Sequence, residues 1–187
     1  MEWYATGAPD KFRMNARCCT GAVSPLRDWS AIRRLKVLTL GLDSTRLITF
    51  ASRFTSEPSV RTGRDEASRY SDFVCTNMYD HYAEHLDKVH ALWPDKPVFV
   101  TEFGKCGDEG MHDTGRIANI RAAVAAIKSR PWVTGGSLWA WADYRSRFPG
   151  TPADGIRRWG VVTFDRQHRD SWQVVDDLFA TDFVEGK

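Results

Sequence analysis

With 187 residues, 42% of them hydrophobic and 27% charged, the chain can bury one sizeable core and has the composition of a soluble globular domain. A net charge of +2 with only isolated arginine pairs, Arg33-Arg34 and Arg157-Arg158, argues against a nucleic-acid partner. No apolar run reaches membrane-spanning length, and the N-terminus lacks a signal-peptide core, so the expectation is a cytoplasmic protein with no membrane contact.

Residues 1–30 carry no clear period and read as an irregular N-terminal segment, leaving 31–187 as the folded domain. From Asp28, as a cap, a helix is predicted with Ile32, Leu35 and Leu38 on one face and Gly41 as its stop. Thr45–Ser52 reads as a first strand, and the polar stretch 53–71, with Pro58 and Gly63, as a loop holding at most a short helix. Asp72–Tyr79 is the second strand, and 83–93 a helix with Leu86, Val89 and Trp93 aligned and Pro94 closing it. Val98-Phe99-Val100 forms a third strand, and 115–129 the clearest helix, striped by Ile117, Ile120, Val124 and Ile127. Val133–Asp143 is the fourth strand, 144–158 a long loop, 159–165 a short extended piece, and about 171–180 a last helix with Trp172, Val175, Leu178 and Phe179 inward.

Four strands alternating with helices imply parallel βαβ units in an α/β fold, because parallel neighbours need a crossover. In such folds the working edge lies at the carboxyl ends of the strands. Ser52, Asn77, Tyr79, Glu102, Trp139 and Asp143 all fall on or beside that edge. A carboxylate such as Glu102, at the tip of a buried strand, is costly unless it is solvated, paired or used.

Of the four cysteines, Cys18, Cys19, Cys75 and Cys106, none forms a CxxC, and no histidines sit at ligand spacing, so neither a metal nor another cofactor is expected. Whether Cys75 and Cys106, on or just past neighbouring strands, come together is left open at this level.

The strand ends carry a resemblance. Asp43-x-Thr45-Arg46 with Thr49-Phe-Ala-Ser52, Asp72 with Asn77-x-Tyr79, Lys96-Pro with Thr101-Glu-Phe-Gly104, and Gly135-Gly with Trp139-x-Trp141-Ala-Asp143 follow in the order found in glycoside hydrolase family 2. The likeness is to β-glucuronidase and β-galactosidase-like members, and the tail Val161–Arg169 resembles the segment after their last barrel strand. It covers roughly residues 31–180 and corresponds to the later half of the catalytic barrel.

That resemblance implies a partial TIM (β/α)8 barrel, about four βα units equivalent to strands 5–8, and retaining hydrolysis of a β-linked glycoside. It casts Glu102 as the nucleophile, Asn77 and Tyr79 as groups that orient the sugar and bond the nucleophile, Trp139 as a wall of the sugar site, and His112 as a histidine near it. The residues alone leave other roles open: Trp139 as a core ring, Tyr79 as a structural phenol, His112 as an exposed loop residue, Asp143 as a partner for backbone amides or an arginine.

Two things are missing. The family's acid/base is a glutamate after an asparagine, and none of the seven glutamates here follows Asn. The Asn-x-Lys group that holds the sugar carboxylate in β-glucuronidases is absent from Gly155-Ile-Arg-Arg-Trp-Gly160, where Arg157 or Arg158 could pair with an acid instead. The expectation is therefore a glycosidase fragment completed by a second copy or by a missing N-terminal half. The alternatives are an inactive sugar-binding remnant with the same half-barrel, and a structural βαβ domain whose strand-end acids cap helices.

Overall fold

The computed structural model describes residues 30–107 and 110–182. The irregular segment expected over 1–30 lies outside the described residues except for Ser30, as do Cys18 and Cys19. Helix α1 (Ser30–Leu42) is followed by strand β1 (Ala51–Ser52), a 3-10 turn (Ala67–Tyr70), β2 (Val74–Asn77), α2 (Tyr82–Leu92), β3 (Val98–Phe103), α3 (Thr114–Lys128) and β4 (Val133–Leu138). A short pair, β5 (Tyr144–Arg145) and β6 (Ile156–Arg157), precedes α4 (Asp170–Asp182). Among the described residues no helix is long and apolar enough to cross a membrane.

The sheet runs in the order β1-β2-β3-β4 with every neighbour parallel, as the strand–helix alternation predicts. Its core face buries Val74, Val98, Val100 and Phe103 against Leu86 and Val89 of α2 and Ile120, Ala123, Val124 and Ile127 of α3. Strand alternation sends Phe99 to the opposite face. The glycine pair of β4 obeys the same rule: a side chain on Gly136 would meet Ile127, Phe103 and Val100, whereas one on Gly135 would meet the Phe99 ring.

Several boundaries differ from the pattern-based expectation, each for a tertiary reason. Helix α1 continues through Gly41, which nothing crowds, and the Asp43 amide still donates to Thr39 O (2.8 Å). The first strand is short, and ahead of it Ile48 is tied to Asp72 twice, its amide donating to the carboxylate (2.7 Å) and its carbonyl accepting from the Asp72 amide (2.8 Å). Strand β4 ends at Leu138 because β3 ends at Phe103, whose carbonyl accepts from Trp139 N (2.8 Å). Beyond that point 140–143 exchanges its strand partner for 159–162, through Ala140 N to Trp159 O (3.2 Å), Val162 N to Trp141 O and Asp143 N to Val162 O (both 2.9 Å). The expected loop 144–158 contains an antiparallel pair, with Tyr144 opposite Arg157. Cys75 is a buried free thiol and Cys106 an exposed one, so they do not bridge.

Two buried ion pairs fasten the segments that follow β3 and β4. Arg116, 1% exposed, pairs with Asp113 and also donates to Lys105 O (3.2 Å), Gly107 O (3.2 Å) and Arg158 O (3.1 Å). Asp113 in turn accepts from the Ser171 amide (3.0 Å) and hydroxyl (2.6 Å), tying the start of α4 to the start of α3. Asp143 grips Arg169 through both carboxylate oxygens (3.2 and 2.7 Å) and accepts from Gly160 N (2.9 Å). Asp143 therefore takes the structural role the sequence left open for it, an arginine and a backbone amide.

Arg169→Met should lower stability by about 3–5 kcal/mol by leaving Asp143 buried without its partner, and the double replacement Asp143→Leu/Arg169→Met should regain most of that loss in urea unfolding. A second prediction concerns acid. His85 is boxed between Thr76 Oγ1 (2.7 Å) and Ser56 Oγ (2.9 Å), and burial pushes its pKa down from 6.5 to about 4. The unfolded chain takes up this proton below about pH 6.5 while the fold refuses it, so stability should fall between about pH 6.5 and 4 by about 3 kcal/mol. His85→Gln should flatten that part of the stability–pH curve.

Candidate functional site

The site is built where β2 and β3 end. Their register runs Thr76 opposite Val100 and then Asn77 opposite Glu102, so Thr101 is one extra residue and β3 bulges. The bulge is held by the Thr101 hydroxyl, which lies 2.6 Å from Asn77 Oδ1 and 3.2 Å from Thr76 O as their donor. It brings Glu102 level with Asn77, and Met78 N donates to Glu102 O (2.9 Å).

Across this step the Tyr79 hydroxyl donates to Glu102 Oε2. Tyr79 is itself fixed from behind. Its carbonyl accepts from the Tyr82 hydroxyl (3.0 Å) of α2 and from Asn119 Nδ2 (3.3 Å) of α3. Glu102 and Tyr79 are both half-buried, so the pair stands at the boundary between core and solvent.

Trp139 joins the same rim through the bond from its amide to Phe103 O. Its indole N–H donates to the Tyr144 hydroxyl (3.2 Å), and the two rings meet edge to face with centroids 5.7 Å apart. Gly104 is required for this approach: φ is +154°, and a Cβ there would strike the Trp139 carbonyl. The glycine of Thr101-Glu-Phe-Gly104 thus has a steric cause.

The structure therefore gathers Glu102, Asn77, Tyr79 and Trp139 on one edge. Asn77 meets Thr101, while Tyr79 makes the bond to Glu102. The imidazole of His112 is exposed and pairs instead with Asp170 at the start of α4 (2.9 Å), which raises the His112 pKa. Ser52, also on the rim, donates to the buried Glu66 carboxylate (2.9 Å), whose other oxygen caps the 3-10 turn at Ser68 N (2.7 Å).

Sequence reasoning overlooked Trp159. Its ring stands edge-on to Tyr79, centroids 5.2 Å apart, and Arg157 lies over it at 5.8 Å and over Phe148 at 5.1 Å. Of the two adjacent arginines, Arg158 pairs with Asp154 (2.5 Å). The available signal was an indole beside two cations between Gly155 and Gly160, and only the return of 159–162 onto 140–143 gives it meaning. A surface cleft lined by Cys106, Gly107, Pro152 and Arg158 opens beyond Gly104, and Glu102 is not one of its walls. Among the described residues no three His, Cys, Asp or Glu side chains are arranged to hold a metal ion.

No protein-family model and no curated protein matches the sequence. Solved structures do. The described fold is similar to a family 2 β-galacturonidase from Eisenbergiella tayi bound to galacturonate (TM-score 0.69, 19% identity, 82% of this chain and 30% of that one). It is also similar to a β-D-glucuronidase of Dictyoglomus thermophilum (TM-score 0.71, 21% identity, 87% and 31%). A third likeness is to a Faecalibacterium prausnitzii β-glucuronidase (TM-score 0.67, 22% identity, 82% and 28%). The chain thus spans under a third of the length of these proteins, and at such identities the likeness establishes the fold alone. It falls on the same group of enzymes as the resemblance of the strand-end motifs.

Proposed function

We propose that the chain is a fragment of a retaining β-glycosidase of family 2 type, the later half of a (β/α)8 catalytic barrel in residues 31–187, with Glu102 as the nucleophile. The observation that carries this reading is the bond from the Tyr79 hydroxyl to Glu102 across the ends of two neighbouring parallel strands. A retaining enzyme needs an ionised carboxylate that attacks the anomeric carbon as the glycosidic C–O bond breaks. The phenol donates to one oxygen of that carboxylate and fixes its orientation, leaving the other to face the sugar. Asn77, level with Glu102, offers an amide for a sugar hydroxyl, and the Trp139 indole offers a flat apolar surface for the C–H face of the ring. His112 reaches a sugar in this scheme only by giving up Asp170.

The leaving oxygen also needs a proton, from a second carboxyl group about 5–5.5 Å from the first. No glutamate of this chain follows an asparagine, and the buried carboxylate of Glu66 is already taken by Ser52 and Ser68. Turnover by the chain alone is then expected to be about 10²–10⁴-fold below that of a site with its proton donor. The same absence favours a second reading, a sugar-binding remnant that keeps the rim but cannot turn over.

An activated 2-fluoroglycoside separates the two, since its leaving group departs without a proton and traps the glycosyl-enzyme ester. Mass mapping should place one sugar on Glu102, with no label on Glu102→Gln. Tyr79→Phe should slow labelling by about tenfold, the worth of one charge-assisted hydrogen bond. If no sugar configuration labels Glu102 in folded protein, the glycosidase reading fails, and calorimetric titration with the same sugars decides whether binding survives.

A further inference from the structure

A parallel sheet is stable with both faces covered and its edges paired, yet among the described residues this one leaves two edges unpaired, β1 and β4. The helices lie in the same order as the strands: α1 touches the 3-10 turn before β2, α2 packs on α3, and α3 on α4. The two ends of that layer are therefore α1, beside the β1 edge, and α4, beside the β4 edge. Both helices are 13 residues long. They differ in charge: α1 exposes Arg33 and Arg34, while α4 exposes Asp176 and Asp177. The β1 end also carries the most exposed large apolar side chains among the described residues, with Val37 65%, Leu38 59%, Leu42 83% and Leu47 76% exposed.

We propose that these two ends are one interface, occupied by a second copy of this chain. A two-fold axis along the strands brings β4 of one copy beside β1 of the other twice over, always parallel, and joins four strands to four. Eight is the strand number at which an all-parallel barrel closes around filled side chains. Each junction sets the basic α1 against the acidic α4 of the partner, covers the leucines of α1, and encloses the half-exposed Phe99 face within the ring. All eight strands run the same way, so both Glu102 rims lie at one end. This inference rests on the partial-barrel reading above but fails separately from it, because labelling of Glu102 reports the site and subunit number reports the junction.

Sedimentation velocity on the full chain from about 1 to 100 μM should show a closed species of twice 21.3 kDa that weakens as salt is raised. Arg33→Glu/Arg34→Glu should raise its dissociation constant by about tenfold or more, and adding Asp176→Lys/Asp177→Lys in the same chain, which reverses both faces, should restore it. A monomer at every concentration overturns the proposal, whether α1 is left bare or is covered by residues 1–29 of its own chain. So does an open-ended ladder of oligomers, or a fourfold variant with native circular dichroism and no recovery. Should the variants fail to fold, a dimer of the unaltered chain that is indifferent to salt overturns it equally.

Discussion

The buried pair of Asp113 and Arg116 is the contact on which the arrangement around Glu102 depends. Burying two ions costs several kcal/mol each unless their remaining donors and acceptors are also filled. Here the guanidinium is shared between its carboxylate and three carbonyls, two in the loop that leaves β3 and one beside Trp159, while Asp113 also receives Ser171. One residue pair at the start of α3 thereby sets the paths of three chain segments. The loop carrying Gly104, the return strand carrying Trp159, and the origin of α4 are all referred to the same point. Asp143 and Arg169 repeat the device one strand further on.

Given those anchors, the rim follows from simple geometry. Parallel strands present their last residues on a single edge, and a bulge at Thr101 advances Glu102 until it meets Asn77 and the phenol of Tyr79. Aromatic groups stand along the same edge: Trp159 meets Tyr79 edge-on, Arg157 lies over Trp159, and Trp139 is braced by Tyr144. The retaining chemistry we propose for this rim needs a second carboxyl group, and no glutamate of the sequence follows an asparagine.

Much of this could be seen before any coordinates. The βαβ rhythm was legible because apolar stripes at helical spacing, such as Ile120, Val124 and Ile127, alternate with short β-branched runs such as Val98–Val100, and both are local patterns. The shared edge was legible because each run ends in polar residues. Element ends were less so. Leu138, not Asp143, closes β4 because the partner strand has run out, and Gly41 passes within a helix because no neighbour requires a stop.

By itself the sequence determined the order of strands and helices, the carboxyl edge on which Glu102, Asn77, Tyr79 and Trp139 stand, and the lack of an Asn-Glu step, since all of these are properties of composition and short-range period. Only the tertiary structure decided that Tyr79 rather than Asn77 bonds Glu102, that His112 turns to Asp170, that Asp143 holds Arg169, and that Trp159 belongs to the rim. Those contacts join residues 23 to 80 positions apart or depend on a one-residue bulge. No local pattern of side chains encodes a partner at that distance, because the choice is made by which backbone segments pack together.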